Sequence, residues 1–160
     1  MSSFTIRVDA DSCPVSVRDM IIRFAERLKI KAVFTANRII PLKPSSYVRM
    51  EVSENLPDAA DNQIVAQCGN DDIVITRDIP LAQRLVDKGI TVLNDRGTVY
   101  TAENIRERLS IRNFNLELYE QGIAADKTDR FGKKELNLFA NSLDRELQKK
   151  LKNTANKIRR

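Results

Sequence analysis

Apolar residues recur along the chain with two periods. Phe4–Asp9 (FTIRVD) predicts a strand that delivers Asp9 at its carboxyl end. Val17, Met20, Ile21, Phe24 and Leu28 then lie at helical spacing, with Pro14 suited to the first turn and Ser12 or Cys13 as cap. Lys31–Asn37 predicts a second strand. Prolines and serines between Pro41 and Ser46 predict a loop, and Tyr47–Val52 a short third strand. Asp58 opens another helix, and Ile73–Ile75 sits in an apolar run of the kind a strand buried on both faces carries. Leu81, Ala82, Leu85 and Val86 form a helical face ended by Gly89, followed by a strand over Ile90–Leu93. This order predicts an α/β fold, a three-layer α/β/α arrangement with a mostly parallel central sheet and helices on both faces.

Helical segments dominate the remainder. Thr101–Gly122 is expected to be helical with a break near Arg112–Asn113, and residues 123–132 form a polar loop. Lys133–Lys152 is strongly amphipathic: Leu136, Phe139, Ala140, Leu143, Leu147 and Leu151 make one stripe, expected to dock on the core or on a second subunit. The last eight residues are expected to fray into a basic tail. Residues 1–160 read as one domain, since 160 residues is an ordinary single-domain length.

Composition narrows the chemistry. The chain has no His, which removes Ser-His-Asp and Cys-His mechanisms, HExxH sites and Cys₂His₂ fingers. Cys13 and Cys68 are too few for a disulfide scaffold or a Cys-only zinc site, and each is expected to be a structural thiol. The start of the chain lacks the pattern of a signal peptide, and no apolar run reaches the ~18 residues of a membrane helix. A cytoplasmic protein without membrane partners is the expectation. Net charge is +5, and it is uneven. Residues 123–160 hold eleven basic and five acidic side chains, net +6, against net −1 for the first 122. The face bearing Lys133, Lys134, Arg145 and Lys149 is either a nucleic-acid contact or an ordinary solvated surface.

Acids recur at the carboxyl ends of the predicted strands, where open α/β sheets place their sites. Asp9 and Asp11 follow the first strand, Asp58 and Asp61 start a helix, Asp78 follows Ile73–Ile75, and Asp95 follows the Ile90–Leu93 strand. Each has a bland alternative as a helix cap: Asp11 for the first helix, an Asp58/Asp61 capping box, and Asp78 ahead of Pro80. Repetition at equivalent strand ends favours a shared site, because a cap needs one acid per helix. Carboxylates crowded at one edge repel unless a cation lies between them, and oxygen-only ligands favour Mg²⁺ or Mn²⁺. Asp71, Asp72 and Asp87 read as loop or helix-surface acids, on the wrong side of their strands for this role.

Five segments, VDADSCPV (Val8–Val15), DAADNQIV (Asp58–Val65), the run from Asp71 to Gly97, IRERLSIRNF (Ile105–Phe114) and LFANSLD (Leu138–Asp144), resemble the YaiI/YqxD family of bacterial proteins. That family is grouped with PIN-like nuclease domains. The resemblance implies a PIN-like fold and carries the PIN acids onto Asp9, Asp61 (three before Ile64) and the Thr76-Arg77-Asp78 triplet, with Asp11 an additional family acid. The middle Glu of PIN enzymes has no clear counterpart, although Glu51 and Glu54 lie nearby. Relatives often carry a Gly-Gly-Pro segment and a late Asp-Arg pair; Ala124-Ala125-Asp126 and Glu135-Leu136 stand there instead, and Asp95 replaces a frequent Pro.

Three functional classes follow. The first is an Mg²⁺- or Mn²⁺-dependent nuclease or phosphodiesterase acting on RNA or DNA. Asp9, Asp11, Asp61 and Asp78 would be its catalytic metal ligands, with Asp58, Asn37, Thr76 and Arg96 as supporting or phosphate-orienting groups. The second is a haloacid dehalogenase-like phosphatase with Asp9 of the D-x-D as nucleophile, although Cys13-Pro14 replaces the usual Thr. The third is a nucleic-acid-binding protein without turnover, its contacts salt-sensitive. A homo-oligomer is compatible with all three.

Overall fold

The computed structural model describes residues 4–122 and 131–158. Strands β1 (Thr5–Asp9), β2 (Lys31–Ala36), β3 (Val48–Val52), β4 (Ile73–Ile75) and β5 (Thr91–Leu93) form one sheet of order β3-β2-β1-β4-β5. Every pairing is parallel. Helices α1 (Val15–Leu28), α2 (Ala59–Gln67), α3 (Ile79–Asp87), α4 (Ala102–Glu120) and α5 (Lys133–Ile158) complete the three layers.

The alternation of side chains along a strand sorts the core into two halves. Ile73 and Ile75 of β4 join Val17, Ile21 and Ala25 of α1 and Phe139, Leu143 and Leu147 of α5. Val74 between them joins Ile64 of α2, Leu81 and Leu85 of α3 and Ile105 of α4. The sheet is therefore covered by α1 and α5 on one face and by α2, α3 and α4 on the other, as a parallel sheet requires. The chain lays β1, β2 and β3 outward in one direction, then returns to place β4 on the opposite side of β1. The strand order reverses between β1 and β4, and the crevice beyond their carboxyl ends is where such a sheet accepts ligands.

At the other end of the same two strands, Asp72 anchors the sheet. Its carboxylate accepts from Thr5 N (2.8 Å), Gly69 N (2.9 Å) and Arg7 Nε (2.9 Å), which explains a charged residue in the middle of β1. Asp72 is thus not a loop-surface acid but a buried structural one, held by three donors at the end of the sheet away from the crevice.

Several local expectations are corrected. The N-cap of α1 is Pro14, without a side-chain cap bond, so neither Ser12 nor Cys13 caps it. Helix α4 is unbroken through Arg112 and Asn113. Neither residue removes a backbone N–H or forbids helical φ, and a reciprocal Thr101/Asn104 capping box fixes the start. The outer half of α4 exposes Ile111, Phe114, Leu116 and Tyr119. Helix α5 does not fray after Lys152 but continues to Ile158, since each residue added to a formed helix gains a hydrogen bond and no Gly or Pro intervenes. The 123–130 part of the expected polar loop, including Ala124-Ala125-Asp126, and Arg159 and Arg160 of the basic tail lie outside the described residues. Among the described residues, no helix is long and apolar enough to cross a membrane.

The α5 stripe docks on the core: Phe139, Leu143 and Leu147 are fully buried, and Leu136, Ala140 and Leu151 pack at its edge. Lys133, Lys134, Arg145 and Lys149 are exposed, with Lys149 3.1 Å from Glu146. The turn after β5 is pinned to this helix. Gly97 has φ 86°, its carbonyl accepts from Ser142 Oγ at 2.7 Å, and a Cβ placed on it would meet Leu138 O at 2.5 Å. Gly97→Ala is expected to cost about 2–4 kcal/mol, from left-handed strain and a backbone clash together. Gly89→Ala, at φ 79° but with nothing within 4 Å, should cost only about 1 kcal/mol. Urea melts of the two variants check the difference.

Candidate functional site

The crevice is built around one hydrogen-bonded chain. Asp9 ends β1, is 8% exposed and is carried there by the β1–β2 register. Thr76, the first residue after β4, is buried and donates from Oγ1 to Asp9 Oδ2 at 2.8 Å. The same hydroxyl accepts from Asp78 N at 3.0 Å, and Asp78 Oδ1 in turn accepts from Leu81 N at 3.0 Å. Asp78 is therefore the true N-cap of α3, with Pro80 in the first turn. The capping role and membership of the crevice coexist, because the cap bond uses one carboxylate oxygen of two.

Asp58 and Asp61 do not form the capping box. Asp58 has φ 62° and makes no side-chain cap bond to α2. A left-handed non-glycine residue at a helix start is uncommon, and Asp is among the types that tolerate it. Asp61 sits in the first turn of α2, with neither the cap bond nor the reciprocal partner that the bland reading needed. Asp11, Asn37, Asn55, Asp58 and Asp61 line a polar cavity of about 320 Å³. Asn37 donates to Asn55 across its rim at 3.4 Å.

Electrostatics tie the acids together. Burial raises the Asp9 pKa, the Thr76 hydrogen bond opposes this, and the charges of Asp78 and Asp11 raise it further. Asp61 is pushed up to about 7, first by burial, then by Asp78, Asp9 and Asp58, with Arg84 opposing. Asp9, Asp61 and Asp78 thus share one field of like charge. They do not close into a cage: among the described residues, no set of three or more Asp, Glu or Cys side chains is arranged to hold a metal ion.

Arg96 is turned to other partners. It lies 3.9 Å from Glu135 at the start of α5 and over the Phe131 ring. Sequence reasoning passed over Arg77, which lies 3.3 Å from Asp95 and donates to Ser12 O. It also passed over Asp95 as a buried group: 3% exposed, its pKa raised by burial against the pull of Arg77 and Arg96. The only cue was position, since Asn94-Asp95 follows β5 much as Thr76-Arg77-Asp78 follows β4. Cys13 is a half-buried thiol pushed up to about 12 by desolvation and by Asp95, and Cys68, half-buried at the C-cap of α2, is raised to about 11 by desolvation. Neither is primed as a nucleophile. The larger groove of about 750 Å³ beside α4, lined by Ile79, Ile111 and Leu116 among others, contains none of the crevice acids.

Residues 7–149 match the family model described as "Uncharacterized BCR, YaiI/YqxD family". A UPF0178 protein of Treponema denticola is 51% identical over 147 residues, covering 92% of this chain and 94% of the relative. A UPF0178 protein of Treponema pallidum is 51% identical over 148 residues, covering 92% and 84%, and one of Syntrophobacter fumaroxidans 47% identical over 147 residues, covering 92% and 96%. No solved structure matches the chain.

Proposed function

The chain belongs to the YaiI/YqxD family, and from the acids around its β1/β4 crevice we propose that it is a PIN-like phosphodiesterase, dependent on Mg²⁺ or Mn²⁺, that cleaves RNA or DNA. The observation that carries this reading is the Asp9–Thr76–Asp78 chain at the strand-order reversal, with the raised Asp61 beside it. Like charges held together at a ligand-accepting edge are costly in isolation and become favourable when a cation is bound.

No more than two of Asp9, Asp61 and Asp78 would hold the cation at once, with waters and a substrate phosphate oxygen completing its shell and Asp11 at the cavity rim. When bound, that cation supplies an acidified water and neutralises charge on a phosphoryl group. Thr76 fixes the rotamer of Asp9 and the entry to α3, so one hydroxyl sets the spacing of two acids. Asp58 and Asn37 line the cavity in which a phosphodiester would lie, where Asn37 can donate to a phosphate oxygen. Arg96 is assigned only a distant electrostatic part, because Glu135 already neutralises it. The exposed Lys133, Lys134, Arg145 and Lys149 of α5 add a positive field that would draw a polyanion toward the molecule. A phosphatase using Asp9 as nucleophile gains no support from the geometry, since Asp9 is 8% exposed and one of its oxygens is committed to Thr76.

The test combines Mn²⁺ calorimetry with cleavage of labelled single-stranded RNA and DNA in Mn²⁺, Mg²⁺ and EDTA, on the wild type and on Asp78→Asn. Cation binding that weakens about tenfold or more in the variant, together with EDTA-sensitive cleavage, is expected. Unchanged Mn²⁺ affinity in a folded Asp78→Asn protein removes Asp78 from the site. Absence of cation-dependent cleavage of both polymers overturns the nuclease assignment.

A further inference from the structure

A second, smaller cavity adjoins the first and shares Asp11 with it. Its volume is about 180 Å³, and it is lined by Asp11, Cys13, Arg18, Arg38 and the turn ending at Pro41. Arg18 comes from α1 and Arg38 from the segment after β2, so two arginines twenty residues apart line one cavity together with Asp11. Arg18 Nη1 donates to Pro41 O at 3.4 Å, while its Nε is buried and has no hydrogen-bond partner. A buried guanidinium N–H without an acceptor is unfavourable and leaves the Arg18 charge undercompensated, so an anion reaching its accessible donors in this cavity, with Arg38 on the same lining, would be favourable. Arg38 is exposed at the rim, where it adds charge without blocking entry.

We propose that this cavity binds a backbone phosphate of a nucleic-acid strand, the neighbour of the phosphate that lies in the acid cavity. The proposal rests on the phosphodiesterase reading for its register and names the substrate as a strand with consecutive phosphates rather than a mononucleotide. Asp11 stands between the two cavities and marks where the strand passes from the arginines to the acids. A single free phosphate offers the same chemistry but fills only the arginine cavity.

The experiment measures binding and does not depend on turnover. Fluorescence anisotropy follows a labelled single-stranded hexanucleotide in EDTA at several salt concentrations, with the wild type, Arg38→Gln, Arg38→Lys and Arg18→Gln. Arg38→Gln, at an exposed position, is expected to weaken binding about tenfold, the effect of losing one charge-assisted contact. It should also reduce the log–log salt slope by about 0.7, as for one single-strand phosphate. Arg38→Lys should restore the slope, and Arg18→Gln, checked for folding by circular dichroism, should weaken binding at least as much. Inorganic phosphate should compete only weakly. Hexanucleotide binding and slope unchanged in folded Arg38→Gln and Arg18→Gln proteins overturn the proposal, even if Mn²⁺-dependent cleavage persists. Tight, arginine-dependent binding of inorganic phosphate without hexanucleotide binding overturns the strand assignment in favour of a free-phosphate site. Arginine-dependent strand binding in a protein that never cleaves leaves this cavity standing and removes only the catalytic reading.

Discussion

Asp61→Asn is expected to raise the stability of the metal-free protein at pH 8 while lowering cation-dependent cleavage about 10²–10³-fold, a loss of several kcal/mol of transition-state stabilisation. The two effects have one origin. Asp61 is pushed up to about 7 by burial and by Asp78, Asp9 and Asp58, so ionising it in the folded state is opposed. An acid with a raised folded pKa binds more protons folded than unfolded between the two values. Stability therefore falls as pH rises from about 4 to about 7, and the full penalty applies above that window. Asn carries no charge and escapes it. Asp61 is only partly buried, so solvent screening reduces the gain to about 1–2 kcal/mol. Melting curves of both proteins from pH 4 to pH 8 should diverge as pH rises, the wild type losing stability relative to the variant. Adding Mn²⁺ at pH 8 should close the gap, because the cation stabilises the wild type by mass action and offsets the like charge. A variant that melts no higher than wild type at pH 8 contradicts the electrostatic account, whatever its activity.

Phe139→Ala should be among the most destabilising changes outside the crevice, at about 3–5 kcal/mol. Phe139 is fully buried among the β1, β2, β4, α1 and α5 side chains, and truncation leaves a ring-sized void that close-packed neighbours fill only in part. The loss should be read as a fall in denaturant midpoint with little change in slope. Leu138→Ala, one residue earlier and 49% exposed, should stay within about 0.5 kcal/mol. A comparable cost at both positions would mean that α5 is not held by its apolar stripe. Because Ser142 of α5 holds Gly97, loosening the helix should also free the turn after β5 that carries Asp95.

The sequence by itself determined most of the elements and which ionisable residues stand at the carboxyl edge of the sheet. Short apolar runs bounded by turn residues located the strands, and helical spacing located the docked stripe of α5, because burial on both faces of a parallel sheet calls for continuous apolar runs while a helix shows only one stripe. Acids at successive strand ends drew attention to the carboxyl edge of the sheet, and the missing His excluded imidazole as a ligand or base there. Helix ends were less legible. Nothing local shows that Asp58 turns left-handed instead of capping α2, that Arg112–Asn113 leaves α4 intact, or that α5 runs on to Ile158, since neighbouring turns and packing settle such choices. Tertiary structure alone decided the pairings. Thr76 reaches Asp9 across 67 positions, Arg77 meets Asp95, Arg96 turns to Glu135, and Arg18 and Arg38 line one cavity. A charged side chain carries no period that reveals its partner; its partner is set by which strand ends the parallel sheet brings together, and that follows from the order β3-β2-β1-β4-β5.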